Sequence, residues 1–316
     1  MKKKLLILGV NGFIGRNLAE HFSKNKNFIT YGTYRNKKPK IKNVFFYKVD
    51  LINKDNFKKV FNNKHIVINC AAITSGAKDI VSKPYIHVTD NNIINSNVIS
   101  ESFQKKVGHL IMLSCTLMYK SSSKKIKEEN LDLNKEIYSK YFGGAWMKLY
   151  MEKMTEFFSR ISNKKFTVIR HSNLYGPHDK FDLFKSHVFG ASINKAYTSK
   201  KKLIVLGDGS EKRDLLYIED FIKFIELVIK NQKNKFRLYN CGSGEYVSIK
   251  NLVKKILKIS NKNLAIVYNK KFNSLKTFVK LDCSLAKKEL GWTPCVSLEK
   301  GIERTLKWYK TAYNRK

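Results

Sequence analysis

Three glycines at every third position, in Gly9-Val10-Asn11-Gly12-Phe13-Ile14-Gly15, stand between an apolar run and a helical pattern. Glycine at a strand–helix junction permits a tight turn and close backbone approach, and the helix N-terminus offers unpaired N–H groups to a pyrophosphate. The spacing is G-x-x-G-x-x-G, not the commoner G-x-G-x-x-G, and a purely structural turn is the competing reading. At the first such junction the pattern predicts a dinucleotide held by Gly9, Gly12, Phe13, Ile14 and Gly15. The second apolar run ends Gly32-Thr33-Tyr34-Arg35-Asn36-Lys37-Lys38, with no carboxylate to grip a ribose 2′-hydroxyl. Arg35 is available for a 2′-phosphate, so the expected cofactor is NADP, with NAD as the alternative.

The elements that must carry these residues alternate. Apolar runs bounded by turn residues give strands at Leu5–Gly9, Phe28–Tyr34, Asn43–Val49, Ile66–Cys70, Leu110–Ser114 and Phe166–His171. Helical spacing marks Gly15–Ser23, Asn91–Phe103 and Trp146–Ile161. Runs such as His65-Ile66-Val67-Ile68 suit strands covered on both faces. The prediction is α/β: a doubly wound parallel sheet with a smaller α/β lobe on its C-terminal side. Residues 1–172, with about 214–240 returning, would form the dinucleotide-binding domain. Most of 173–316 would form the second lobe, over the carboxyl ends of the strands where open sheets bind ligands.

Composition narrows the function classes. The chain has 316 residues and a formal net charge of +37. Of its 62 basic residues 54 are Lys and only 8 Arg, scattered in ones to threes, and Asn is abundant. Phosphate and base readers favour the planar fork of Arg, so the excess reads as a solvated surface and not as a nucleic-acid partner. No apolar stretch is long enough to insert in a membrane. Met1–Leu8 resembles a leader only superficially and reads better as a buried strand. The five cysteines are odd in number and contain no C-x-x-C pair, which argues against a disulfide framework or a metal module and suits a reducing cytoplasm.

Further landmarks run nearly end to end: Val49-Asp50-Leu51, Asn69-Cys70-Ala71-Ala72, Asn92, Asn173-Leu174-Tyr175-Gly176-Pro177, Arg213-Asp214-Leu215-Leu216-Tyr217 and Leu290-Gly291-Trp292-Thr293-Pro294. With the glycine triplet they resemble the extended short-chain dehydrogenase/reductases, the NAD(P)-dependent nucleotide-sugar epimerases, dehydratases and reductases. The resemblance implies a Rossmann fold and a nucleotide-sugar substrate. It also implies a cofactor cleft including Asp50, Leu51, Cys70, Ala71, Ala72, Asn92, Lys148 and His171, and a homodimer. Within the family the segment Asn173–Phe181 with Ser186-His187-Val188 is most similar to GDP-L-fucose synthases, which work on a GDP-linked 4-keto-6-deoxy sugar. That likeness implies substrate contacts from Asn173, His187, Val188 and Arg213. It makes His187 an acid/base at the sugar ring, where a surface His capping a helix is the plainer alternative.

Two departures bear on the chemistry. Where the family carries Ser or Thr four residues before the Tyr of its V-Y-G-like turn, Ser114-Cys115-Thr116-Leu117-Met118-Tyr119 has Cys115. It is either an acid/base partner of His187 or a small buried filler. The family's Y-x-x-x-K places a phenol one turn before a Lys; here Lys148 is preceded at that spacing by Gly144. Tyr141, one turn further back, either substitutes for the phenol or is dispensable. The expected function is therefore an epimerase or reductase with Cys115, His187, Lys148 and Tyr141 as its catalytic candidates. The alternative is a non-catalytic dinucleotide sensor or scaffold of the same fold.

Overall fold

Strand β1 (Lys3–Leu8) shows in six residues why the sheet is covered twice. Leu5 and Ile7 enter one core cluster, Leu6 and Leu8 the other, and all four are fully buried. Successive side chains of a strand point to opposite faces, so an uninterrupted apolar run needs a layer on each side. Strand β5 (His109–Ser114) repeats the division with Ile111 and Leu113 against Leu110 and Met112.

The computed structural model describes residues 1–53, 57–74, 84–183, 186–271 and 277–313. After β1 come α1 (Phe13–Phe22), β2 (Phe28–Tyr34), β3 (Val44–Lys48), β4 (Ile66–Asn69) and α2 (Pro84–Gln104). Then follow β5 (His109–Ser114), α3 (Phe142–Arg160) and β6 (Lys165–His171). The chain continues with β7 (Asn173–Tyr175), α4 (Val188–Thr198), β8 (Lys202–Leu206), β9 (Lys212–Arg213), β10 (Leu215–Tyr217), α5 (Ile218–Asn231) and β11 (Phe236–Cys241). It closes with β12 (Val247–Ser248), α6 (Ile249–Ile259), β13 (Ala265–Asn269), α7 (Ser284–Leu290) and α8 (Leu298–Trp308).

Seven strands form one sheet in the order β11-β6-β5-β4-β1-β2-β3, every pair parallel. The order reverses between β1 and β4, which creates a crevice beyond their carboxyl ends. Helices α1 and α5 cover one face with Leu18, Phe22, Phe221 and Ile225; α2 and α3 cover the other with Val98, Ile99 and Met151. Strand β11 rejoins the sheet beside β6 after the chain has left it. Between and after these returns lie three small sheets, β7 with β10, β9 with β12, and β8 with β13.

Buried carboxylates hold the outer pieces in place. Asp214 accepts from the backbone of Ser243, Gly244 and Leu281, joining the end of β9 to two distant loops. Asp220 accepts from the amides of Cys295 and Val296, and its carbonyl accepts from the indole of Trp292. A backbone N–H buried without a partner is costly, so these acids position loops that have no ladder of their own.

Two helix boundaries correct the sequence reading. Helix α2 starts at Pro84, so Asn92 lies two turns inside it and does not open it. Helix α3 starts at Phe142 and not Trp146, which puts Tyr141 at its N-cap, after a short 3-10 turn. Periodicity missed the first turn because Gly143-Gly144 interrupts it. Among the described residues no helix is long and apolar enough to cross a membrane.

Candidate active site

The cofactor half is built on backbone. Gly9 has φ +79, a conformation that L side chains rarely adopt, and a Cβ there would meet Ala71 Cα at 2.8 Å. A Cβ on Gly15 would run into the Gly9 carbonyl. Gly12 differs: its Cβ would meet nothing nearer than the Gly9 oxygen at 3.4 Å. The fold itself therefore needs Gly9 and Gly15, whereas Gly12 faces open space at the start of α1. Amide bonds from Gly9 to Thr33 Oγ1 (3.0 Å) and from Val10 to Thr33 O (3.0 Å) pin the turn to β2.

The other expected cofactor residues surround this turn. Arg35 is exposed just past β2, and Asp50 follows β3, with Oδ1 accepting from Ile52 N at 3.1 Å. Leu51 is buried. Cys70, Ala71 and Ala72 leave β4, where Asn69 Oδ1 takes the Ala71 amide. Phe13 and Ile14 pack partly buried on the core below. His171 ends β6, its Nδ1 2.8 Å from Ser172 O, and burial pushes its pKa down to about 4, so the ring is neutral at pH 7. Asn92 Oδ1 is buried with no hydrogen-bond partner among the described residues. An orphaned acceptor and an uncrowded helix N-terminus fit a dinucleotide, whose hydroxyls and pyrophosphate would satisfy them.

The second half is assembled from separate stretches. Thr116, Leu117, Tyr141, Asn173, Lys212, Arg213 and Thr277 line one cleft. Asn173 is clamped by its amide and its side chain to Asp214 O (3.0 and 3.1 Å). Arg213 Nη1 donates to Lys212 O at 2.8 Å and to Thr277 O at 3.1 Å, which aims the guanidinium. His187 is the N-cap of α4, with Val188 as the first helical residue, yet its side chain makes no capping bond; part of its surface is open, while the residues packed around it strip water from the ring. Loss of surrounding water lowers its pKa, and the nearby cations Lys180 and Arg213 lower it further. Neutral imidazole is thus the form present at pH 7, the form that can accept a proton.

Cys115 sits deeper. Burial raises its thiol pKa above the usual range despite the opposing pull of Lys148, so the neutral thiol predominates. Lys148 Nζ donates to Leu113 O at 2.8 Å; burial depresses its pKa, with Cys115 and Glu152 working the other way. Behind them Glu152 takes Ser114 Oγ at 2.5 Å and Arg170 Nη2 at 2.6 Å, all buried. Arg170 Nη1 reaches the Tyr119 hydroxyl at 2.8 Å, which in turn donates to Asn240 Oδ1 at 2.9 Å. Ser114 is thus spent on structure and Cys115 does not line the cleft, while Thr116 does. Sequence reasoning passed over Thr116, which lies in the turn after β5, where strand alternation no longer applies.

It also missed Lys180, whose Nζ crosses to Thr74 O (3.2 Å) and Oγ1 (2.7 Å), joining the segment after β7 to the loop after β4. No motif announces a contact between residues 106 positions apart.

Residues 5–242 match the family model described as the NAD dependent epimerase/dehydratase family. A GDP-L-colitose synthase of Yersinia pseudotuberculosis is 27% identical, over 98% of this chain and 99% of its own. A GDP-L-fucose synthase of Sinorhizobium fredii is 31% identical, over 82% and 83%. Among solved structures, the UDP-glucose 4-epimerase of Thermotoga maritima superposes with a TM-score of 0.86 over 97% of this chain and 98% of its own, at 23% identity. The UDP-glucuronic acid 4-epimerase of Bacillus cereus, solved with NAD, gives 0.80 at 25% identity, over 99% and 98%.

Proposed function

The chain belongs to the NAD-dependent epimerase/dehydratase family, and from that premise we propose that it is an NADP-using epimerase-reductase of a GDP-linked keto-deoxy sugar. The observation that carries the reading is the shared cleft. Arg213, Asn173, Thr116 and Tyr141, from four separate stretches of chain, line one space, and Arg213 lies close enough to depress the pKa of His187. The names of the GDP-sugar relatives support the choice of nucleotide, and exposed Arg35 without a nearby carboxylate on its strand end supports NADP.

The nicotinamide, when bound, would supply hydride exchange with a sugar carbonyl carbon. Gly12 and the N–H groups opening α1 would hold the pyrophosphate, Asn92 Oδ1 would accept from the cofactor, and Lys148 would hold its ribose. Arg213 would bind the sugar diphosphate through a charge-assisted pair. Neutral His187 would take the proton from the carbon beside the ketone, leaving an enolate, and return of a proton to the opposite face inverts the centre. Cys115 as a neutral thiol, or the hydroxyls of Thr116 and Tyr141, would donate that proton. Solvent deuterium entering the sugar beside the ketone in a GDP-4-keto-6-deoxy sugar tests the proposal; turnover without such exchange removes the epimerase half.

A homodimer forms part of the proposal. Phe142, Trp146, Tyr150 and Phe157 of α3 are 41–57% exposed at helical spacing, next to exposed Ile93 of α2. Such a stripe favours burial against a second copy, and light scattering measures the mass. The five free cysteines suit a cytoplasmic setting.

A further inference from the structure

A second cavity adjoins the cleft, with Tyr119 as a common wall. Its volume is about 370 Å³, and Lys120, Lys124, Lys125 and Lys135 line it with Asp132 as the lone acid among the described residues. The wall that carries the lysines is fixed. Ser122 N donates to Phe278 O and Ile126 N to Lys280 O, both at 3.0 Å, and the Tyr138 hydroxyl donates to Ser121 Oγ at 3.0 Å. Lys120 Nζ is held 4.9 Å over the Tyr138 ring.

The charges do not cancel. Lys125 meets Glu245 at 3.4 Å and Lys135 meets Asp132 at 3.7 Å, whereas Lys120 and Lys124 have no carboxylate within ion-pair distance among the described residues. Four lysines bordering one space, two of them without a carboxylate partner among the described residues, suit a tetrahedral polyanion, which needs no planar fork. The space is within the range of small-ligand sites.

We infer that this cavity binds a phosphate-bearing small molecule separate from the sugar nucleotide. The inference stands apart from the catalytic reading, since neither Lys120 nor Lys124 lines the sugar cleft. The bland alternative is diffuse attraction by a chain of net charge +37, and a matched control separates the two. Inorganic pyrophosphate is titrated calorimetrically into the full chain at constant ionic strength. The pair Lys120→Glu and Lys124→Glu should weaken binding about tenfold or more, while Lys254→Glu with Lys258→Glu, the same charge change on exposed positions of α6, should alter it less than about twofold. Saturating GDP and NADP, which fill the proposed sugar-diphosphate and cofactor positions, should leave a pyrophosphate site that the Lys120 and Lys124 changes weaken. Equal losses from the two lysine pairs would reduce the site to diffuse attraction. Loss of all pyrophosphate binding under saturating GDP and NADP would assign the anion to those two positions, and either result overturns the inference.

Discussion

The two halves of the cleft are made in different ways. The proposed cofactor half turns on seven consecutive residues whose shape is a backbone property: Gly9 and Gly15 are required by contacts with Ala71 and with each other. The sugar half is side chains from β5's exit, the N-cap of α3, β9 and a loop near residue 277, held by buried acids such as Asp214. A local backbone device tolerates almost no substitution but is visible in any stretch that contains it. An assembled cleft tolerates change at each position, and its chemistry can drift while the fold stays.

The comparison can be broken most violently at the turn. Gly15→Ala should abolish soluble folded protein or lower its melting temperature sharply, because the new methyl overlaps the Gly9 carbonyl. Gly12→Val should fold and melt near the parent temperature yet lose dinucleotide binding, since only the ligand needs that space. If Gly12→Val melts as badly as Gly15→Ala, the distinction between fold-required and ligand-required glycines fails.

The next largest effects lie in the sugar half. His187→Asn should leave nucleotide-sugar binding intact and lower turnover about 10²–10⁴-fold, the range for a positioned acid/base. Because the cleft depresses the pKa of His187, the base form persists below the ordinary imidazole range. The pH–rate profile should therefore stay flat on descending through neutrality and fall only at lower pH.

Tyr141 sharpens the same point. Counted along a continuous helix, it lies a full turn, about 5.4 Å, too far back to replace the missing phenol. At the N-cap it instead faces the cleft beside Thr116. Tyr141→Phe should then cut carbonyl reduction about 10²-fold with cofactor still bound; a fully active variant would make the phenol dispensable. Gly144 can hold a side chain, since its Cβ would meet only Leu117 Cδ1 in ordinary contact at 3.4 Å, and rescue of Tyr141→Phe by Gly144→Tyr would show that the family position is vacant.

Arg35→Glu should move preference from NADP toward NAD, read as the ratio of the two dissociation constants; an unchanged ratio would take Arg35 out of the cofactor site. The smallest effect is on stability. Burial raises the Asp179 pKa to about 7, from a usual value near 3.8. The unfolded chain releases this proton first, so the residue lowers stability progressively as pH rises from about 4 through 7. Asp179→Asn should raise the melting temperature a few degrees at pH 8 and hardly at all at pH 4.

Much of the architecture was legible in the order of residues. Unbroken apolar runs such as Leu5–Leu8 and Ile66–Ile68 imply strands covered on both faces, and the glycine triplet marks where the first one turns, because both signals are local. Asn92 and Tyr141 were placed correctly in the chain but wrongly within their helices, since a helix start depends on what packs against its first turn. Which of Ser114, Cys115 and Thr116 would face the cleft was beyond sequence reasoning. Glu152, itself held by Arg170, takes the Ser114 hydroxyl, and Cys115 lies within electrostatic reach of Lys148. Those partners lie tens of residues away, so only the packed sheet and α3 decide which side chain is left to meet the substrate.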